Sequence, residues 1–166
     1  MNAVVKNGAE NYSSNLLQAV KENNVGWVKR VLGQAGHHLG VVQEAIAHGY
    51  FDMALCESVH GNCVELVELL LPYCDVRKDS WALRVAAMAG STECIALLLP
   101  HCNAQSNHSQ PLRVACQYNH FEAFVALYPH SDVDEALECT RQTYARCDFE
   151  KLGQWVERAE AELLRT

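Results

Sequence analysis

The sequence predicts an all-α protein built from a repeated helix-turn-helix unit, a solenoid with little or no β-hairpin between its units. The phrase LRVAA at Leu83–Ala87 returns as LRVAC at Leu112–Cys116, 29 positions later (83 to 112). LLLPHC at Leu97–Cys102 returns as ALYPHS at Ala126–Ser131 after the same interval (97 to 126). Periods of about 20–50 residues are typical of solenoids, in which a helix pair buries its apolar face only against neighbouring pairs. The phrases therefore indicate that successive helix pairs present the same apolar seam to one another.

The unit from Trp81 to Cys102 has the pattern of a helix, a tight turn, a second helix and a stop. Gly90 is the residue type expected just past a helix C-terminus, and Ser91 is placed to cap the next helix. Leu98 belongs to the broad apolar face of that second helix, and Pro100 blocks its continuation because proline lacks the backbone N–H. The predicted seam of the first helix consists of Leu83, Val85, Ala86 and Ala87.

The same pattern of turn and stop residues extends beyond this unit. Asn119 takes the turn position and Pro129 the stop of the next unit, and earlier helix pairs are predicted around Asn23-Asn24 and Gly61. The segment 40–56 holds two short helical patterns divided by Gly49, which the repeat does not assign to units. We expect a solvated lead-in over 1–12 and a single array of about 4–5 helix pairs over 13–166.

Residues 132–166 are predicted to form the capping helices, because a terminal repeat needs a polar outer side. Asp148 is placed to start the last helix, and charged residues cover most of its other faces. Its apolar stripe, spaced three and four residues apart, consists of Phe149, Leu152, Val156, Ala159 and Leu163.

Two segments, WALRVAAMAGSTECIALLL at 81–99 and QPLRVACQYNHFEAFVALY at 110–128, resemble ankyrin repeats, whose pattern is T-P-L-H-x-A-A-x-x-G-H-x-E-V-V-x-x-L-L. Weaker matches lie at 16–32 and at 54–71, where one extra residue follows Gly61. Arg84 and Arg113 occupy the usual histidine position, and the links lack the G-x-T-P turn. The resemblance implies stacked helix pairs whose finger loops are shortened.

The resemblance also implies a protein partner bound at a concave face lined by the first helices and the loops. In the family, the two residues before the turn glycine project onto that face. The predicted partner-binding residues are Lys21, Glu22, His60, Arg77, Lys78, Trp81, Met88, His108, Gln117 and Tyr118, with Val59, Asp79, Ala89, Asn107 and Gln110 at neighbouring positions. For Trp81 and Met88, the alternative is packing inside the array.

Charge and hydropathy narrow the class of partner. The net charge of −7 argues against a nucleic-acid backbone, which needs clustered Lys and Arg. No apolar run has the roughly 18–20 residues that a membrane span requires. Within 80–131, the formal charges are Arg84, Glu93, Arg113 and Glu122. Such a surface is typical of protein partners, and it leaves self-association through the same stretch open.

Eight cysteines without a C-x-x-C pair indicate reduced core filling in a cytoplasmic protein, with Cys94 and Cys116 at small apolar positions. His101, Cys102 and His130 are residue types that bind zinc. However, stacked units lie roughly 8–10 Å apart, whereas zinc holds its ligands at about 2.0–2.3 Å. The sequence therefore predicts no metal, cofactor or catalytic residue.

The leading hypothesis is a non-catalytic protein-protein interaction module that acts as a regulator, an inhibitor, an adaptor or an effector, the last implying delivery into a host cell. The alternative is a small cytosolic thiol enzyme or redox sensor on the same helices. A third is a self-associating structural protein. Thiol reactivity separates the first two, because a catalytic thiol must be an accessible thiolate.

Overall fold

The computed structural model describes residues 3–34, 39–77, 80–142 and 148–165. Within these ranges the chain is all-α, and no segment forms a strand. The chain divides into two compact units, Met1–Asp75 and Val76–Thr166. The predicted fold class, stacked helix pairs without a β-hairpin finger, is confirmed.

The first unit consists of two helix pairs and one additional helix. Its helices are α1 (Ala3–Lys21), α2 (Val25–Gln34), α3 (Leu39–Ala47), α4 (Tyr50–His60) and α5 (Val64–Leu70). The pair α1–α2 packs on the pair α4–α5, and α3 packs on α1 and α4. The unassigned segment 40–56 is therefore explained by α3 and the start of α4, with Gly49 left-handed between them at φ 69°.

The boundaries predicted for the array stay a prediction. Helix α1 begins at Ala3, inside the stretch 1–12 that was expected to be a lead-in.

No helix of the described part of the chain is both long enough and apolar enough to cross a membrane.

The second unit has two layers of helices. Its helices are α6 (Trp81–Ala89), α7 (Thr92–Leu98), α8 (Ser106–Gln117), α9 (Phe121–Leu127), α10 (Val133–Gln142) and α11 (Phe149–Leu163). Helix α8 packs between α6 and α10 in the inner layer, and α9 packs between α7 and α11 in the outer layer. Each inner helix also contacts the outer helix that follows it along the chain.

The predicted seam lies between these layers. Cys94 and Cys116 have no exposed surface, so both serve as small apolar core residues, as predicted. The other fully buried seam residues are Leu83, Ala86, Ala87, Ile95, Leu98, Leu112, Ala115, Ala123, Phe124 and Leu127. The assignment of Val85 to the seam was wrong, because its side chain is only half-buried.

The predicted turns at Asn23-Asn24, Gly90 and Asn119 are confirmed, and the one at Gly61 is corrected. Gly90 and Asn119 are left-handed, with φ of 71° and 65°. Gly61 has φ −79°, whereas Asn62 is left-handed at φ 52°. The residue after Gly61 thus carries the reversal, and it moves the register of that repeat by one position. Ser91 lies at the N-cap of α7, but its side chain makes no capping hydrogen bond.

Within the second unit, a buried serine links successive repeats where the family has a finger loop. We call this contact the serine clamp. The Ser80 hydroxyl donates to the Asn103 carbonyl at 2.7 Å and accepts from the Asn103 N–H at 2.9 Å. The Ser109 hydroxyl accepts from the Asp132 N–H at 2.8 Å. Both serines are buried and left-handed. The clamp therefore repeats with the 29-residue period (80 to 109), a repeated position that the sequence analysis missed.

The terminal helix α11 packs on the outer layer through a residue outside the predicted stripe. The Asp148 carboxylate accepts the Glu150 N–H at 2.9 Å, so the predicted start is confirmed. In the stripe, Leu152 and Ala159 are buried, but Phe149 and Leu163 are 43% and 37% exposed. Trp155 packs instead, edge-on to two phenylalanine rings at 5.2 and 5.4 Å; these belong to Phe121 and Phe124.

Candidate functional site

The surface of α6 and α8 forms an open groove of about 380 Å³. We call it the α6–α8 groove. Residues three or four positions apart share one face of a helix, so each helix contributes one continuous wall. The α6 wall consists of Arg84, Val85 and Met88, and the α8 wall of Gln110, Val114, Gln117 and Tyr118.

The lining mixes apolar side chains with one arginine and two glutamines. Val85, Met88 and Val114 are half-buried, and Tyr118 is 43% exposed. Arg84 carries the one formal charge of this lining. Val114 takes the position of Val85 in the next repeat, and both side chains line the groove.

Three predicted partner-binding residues come together in the α6–α8 groove: Met88, Gln117 and Tyr118. Arg84, Val85 and Val114 were missed as site residues. The signal that could have found them is helical spacing, because Arg84 lies four residues before Met88 and Val114 four before Tyr118.

The other predicted residues lie outside this lining. Trp81 is half-buried at the start of α6, seven positions before Met88 and thus near the same face. Arg77 is exposed in the segment before α6, His108 is exposed at the start of α8, and Lys78 lies outside the described residues. In the first unit, Lys21, Glu22 and His60 are exposed. Val59 is fully buried, because Asn62 rather than Gly61 makes the turn, so its placement on the binding face was wrong.

The start of α8 is held in an unusual conformation by Arg113. Within α8, Asn107, His108 and Ser109 are left-handed in succession, with φ of 52°, 57° and 51°. Residues other than glycine adopt this region at a cost, so the surrounding structure must hold these residues there. The Arg113 Nε and Nη2 atoms donate to the carbonyls of His108 and Asn107, both at 3.0 Å. The His108 Nδ1 lies 2.7 Å from Glu135 Oε1, so its side chain is engaged within the unit.

Arg84 occupies the equivalent position one repeat earlier, and it lines the groove. The residues equivalent to Asn107 and His108 are 78 and 79, which lie outside the described residues. Within the described ranges, the hydrogen bond of Arg84 runs from Nη1 to Gln110 Oε1 at 3.4 Å, a long contact for a guanidinium.

The thiols are placed for packing. Burial raises the pKa of Cys102 to about 11. Burial, together with a hydrogen bond to the Asp52 carboxylate, raises the pKa of Cys74 well above its ordinary value. Reactive thiols have a lowered pKa instead. Among the residues that the structure describes, no group of three or more His, Cys, Asp and Glu side chains is arranged to hold a metal ion.

The raised pKa of Cys102 predicts slow alkylation. A rise from 9.0 to about 11 leaves about 100-fold less thiolate at any pH well below 9. We expect iodoacetamide to modify Cys102 at least about 100-fold more slowly in the folded chain than in urea. The rate should climb until the pH passes about 11. Peptide mass spectrometry over a pH series measures this, and modification of folded Cys102 at the unfolded rate near neutral pH would contradict it.

The groove and the buried seam both lie within the part of the chain that matches a protein family. The comparison with protein families matches residues 52–137 to ankyrin repeats, in three copies. No curated protein and no solved structure matches the chain. The matched range spans more than half of the 166 residues, and it contains α5 and the helix pairs α6–α7 and α8–α9 whole. The chain therefore belongs to the ankyrin repeat family.

Proposed function

We propose that this chain is a non-catalytic binding module that captures a protein partner through the α6–α8 groove. Ankyrin repeats are generally protein-protein interaction modules, and the family is usually non-catalytic. The observation that carries the proposal is the chemistry of the groove. It combines a tyrosine, a methionine and an arginine, three residue types that are enriched at protein interfaces.

The rigidity of the groove also supports the proposal. Its residues project from helices whose opposite faces are packed in the seam, through Ala86 on α6 and Ala115 on α8. Binding to a preformed surface loses less conformational entropy than binding that must order a loop. A groove of about 380 Å³ offers room for a few side chains of a partner.

The thiol chemistry favours binding over catalysis. Cys94 and Cys116 are fully enclosed, and burial raises the pKa of both Cys74 and Cys102. A nucleophilic thiol needs the opposite, an accessible group whose pKa is lowered by a neighbouring base or a positive charge.

The test is affinity capture from a lysate of the native cell with wild type and with the variant Met88→Glu/Tyr118→Ala. We expect wild type to retain a protein that the variant loses, because the variant removes an aromatic anchor and places a carboxylate in the groove. Each change should weaken binding by at least about tenfold, as for anchors worth about 2 kcal/mol.

The matched control adds the same charge away from the groove. Ala96 is exposed on α7, in the outer layer, so Ala96→Glu should retain the partner. Thermal melts of all variants must first agree with wild type within a few degrees. Equal retention by wild type and by the groove variant would contradict the proposal.

A further inference from the structure

We infer that the α6–α8 groove binds a protein segment that carries an acidic residue close to an apolar one. The partner carboxylate would bind Arg84, and the partner apolar side chain would pack against Met88, Val114 and Tyr118. The inference rests on the proposed function and specifies the chemistry of the partner. Its first support is charge, because Arg84 is the one formally charged side chain of the lining.

The guanidinium of Arg84 has donors that no contact among the described residues engages. Its side chain is exposed, and among the described residues it pairs with no carboxylate. A guanidinium has five N–H donors, and the 3.4 Å contact with Gln110 engages one of them weakly. Arginine binds carboxylates through two parallel hydrogen bonds, so a partner Asp or Glu fits its remaining donors.

Arg84 and Arg113 occupy the same position of successive repeats, 29 residues apart (84 to 113), but only Arg84 lines the groove. Arg113 uses Nε and Nη2 on the backbone carbonyls of His108 and Asn107, at the start of α8. Arg84 is therefore the positive point of the groove.

Gln110 adds a second donor beside Arg84. Its Oε1 accepts from Asn107 Nδ2 at 2.9 Å and from Arg84 Nη1 at 3.4 Å. These two donors fix the orientation of the amide, and its NH2 group is left to donate. The polar end of the groove therefore offers donors from two side chains, which is complementary to a carboxylate rather than to an ammonium group.

The distance between Arg84 and Met88 fixes the spacing that the partner needs between its acidic and its apolar residue. Met88 lies one helical turn beyond Arg84, about 6 Å along the axis at 1.5 Å per residue. A partner helix meets this spacing with an acidic residue three or four positions from an apolar one, and a strand with a separation of two. The nearest acidic residues of the same repeats, Glu93 and Glu122, lie on the outer helices α7 and α9.

The probe is a phage-displayed library of random dodecapeptides, panned on the full chain and counter-selected on the Arg84→Glu chain. We expect enriched peptides to carry Asp or Glu two to four residues from Leu, Met, Phe or Trp. A selected peptide should bind Arg84→Gln about tenfold more weakly, the loss of one charge-assisted contact. Replacing the peptide's acidic residue with its amide should produce the same loss, and should produce no further loss on Arg84→Gln.

The matched control is Arg165→Gln, which removes the same charge from an exposed position outside the groove and should leave affinity unchanged. Three results would overturn the inference: no enrichment, enrichment without acidic residues, or binding indifferent to Arg84→Gln. Arg84-dependent self-association in sedimentation would overturn it too, because the occupant would then be a second copy. If the peptides lose binding to Met88→Glu/Tyr118→Ala but not to Arg84→Gln, this inference fails while the proposed function stands.

Discussion

Replacing Leu98 with aspartate is expected to unfold the unit Val76–Thr166. Leu98 has no exposed surface, and it lies on α7 between the layers of that unit. Loss of a buried leucine costs about 2–5 kcal/mol, and burial of an unpaired carboxylate adds several more. Because domains are typically stable by only about 5–15 kcal/mol, this one change is comparable to the whole stability of the unit.

Hydrogen exchange resolved by peptide is the measurement for Leu98→Asp, because it reports on each unit separately. Protection should be lost across 81–142. The matched control is Ala96→Asp, which places the same carboxylate at an exposed position two residues earlier on α7 and should cost less than about 1 kcal/mol. A Leu98→Asp chain that retains wild-type protection would show that the seam assignment is wrong.

Replacing Gly90 with alanine is expected to destabilise the unit by about 2 kcal/mol. Gly90 is left-handed, where a Cβ is strained. An added Cβ would also lie 2.7 Å from the Cγ of His120, the N-cap residue of α9. The ring would therefore have to leave its position against the turn. The loss of unfolded-state entropy in the alanine variant offsets only about 0.4–1 kcal/mol of this cost.

Chemical denaturation measures the Gly90→Ala effect, and two further variants separate its causes. Gly153→Ala in α11 meets nothing within 4 Å, so this control should be neutral or slightly stabilising. In the His120→Ala background, Gly90→Ala should cost about 1 kcal/mol less, because only the backbone strain remains. Equal costs in both backgrounds would show that His120 does not pack against the turn.

Local sequence signals predicted the second unit well and the first less well. Gly90 and Pro100 fix a turn and a helix end by backbone chemistry that acts over a few residues. The 29-residue interval repeats these positions in the next helix pair. The extra residue after Gly61 made the prediction for Val59 wrong. The turn is at Asn62, one position later than predicted, and Val59 therefore lies in the core. Helix α3 interrupts the repeat altogether, and no periodic signal assigned it to a pair.

The binding groove was only partly predictable, because its walls depend on how two helices pack. Met88, Gln117 and Tyr118 follow from their positions before the turns. Val85 and Val114 are apolar and adjacent to the seam, so their periodicity does not distinguish the core from a half-buried groove. The hydrogen bonds of Arg113 to the carbonyls of Asn107 and His108 were not predictable either, because the two matching arginine positions carry no signal for the left-handed backbone there.

Photocrosslinking tests the groove claim most directly. Benzoylphenylalanine would replace Met88 in one chain and Ala96 in another, and each would be irradiated in a lysate of the native cell. We expect position 88 to form a covalent adduct with a protein that capture also recovers, and position 96, on the outer layer, to form none with it. Adducts at position 96 without adducts at position 88 would contradict the account, because the partner would then contact the outer helices.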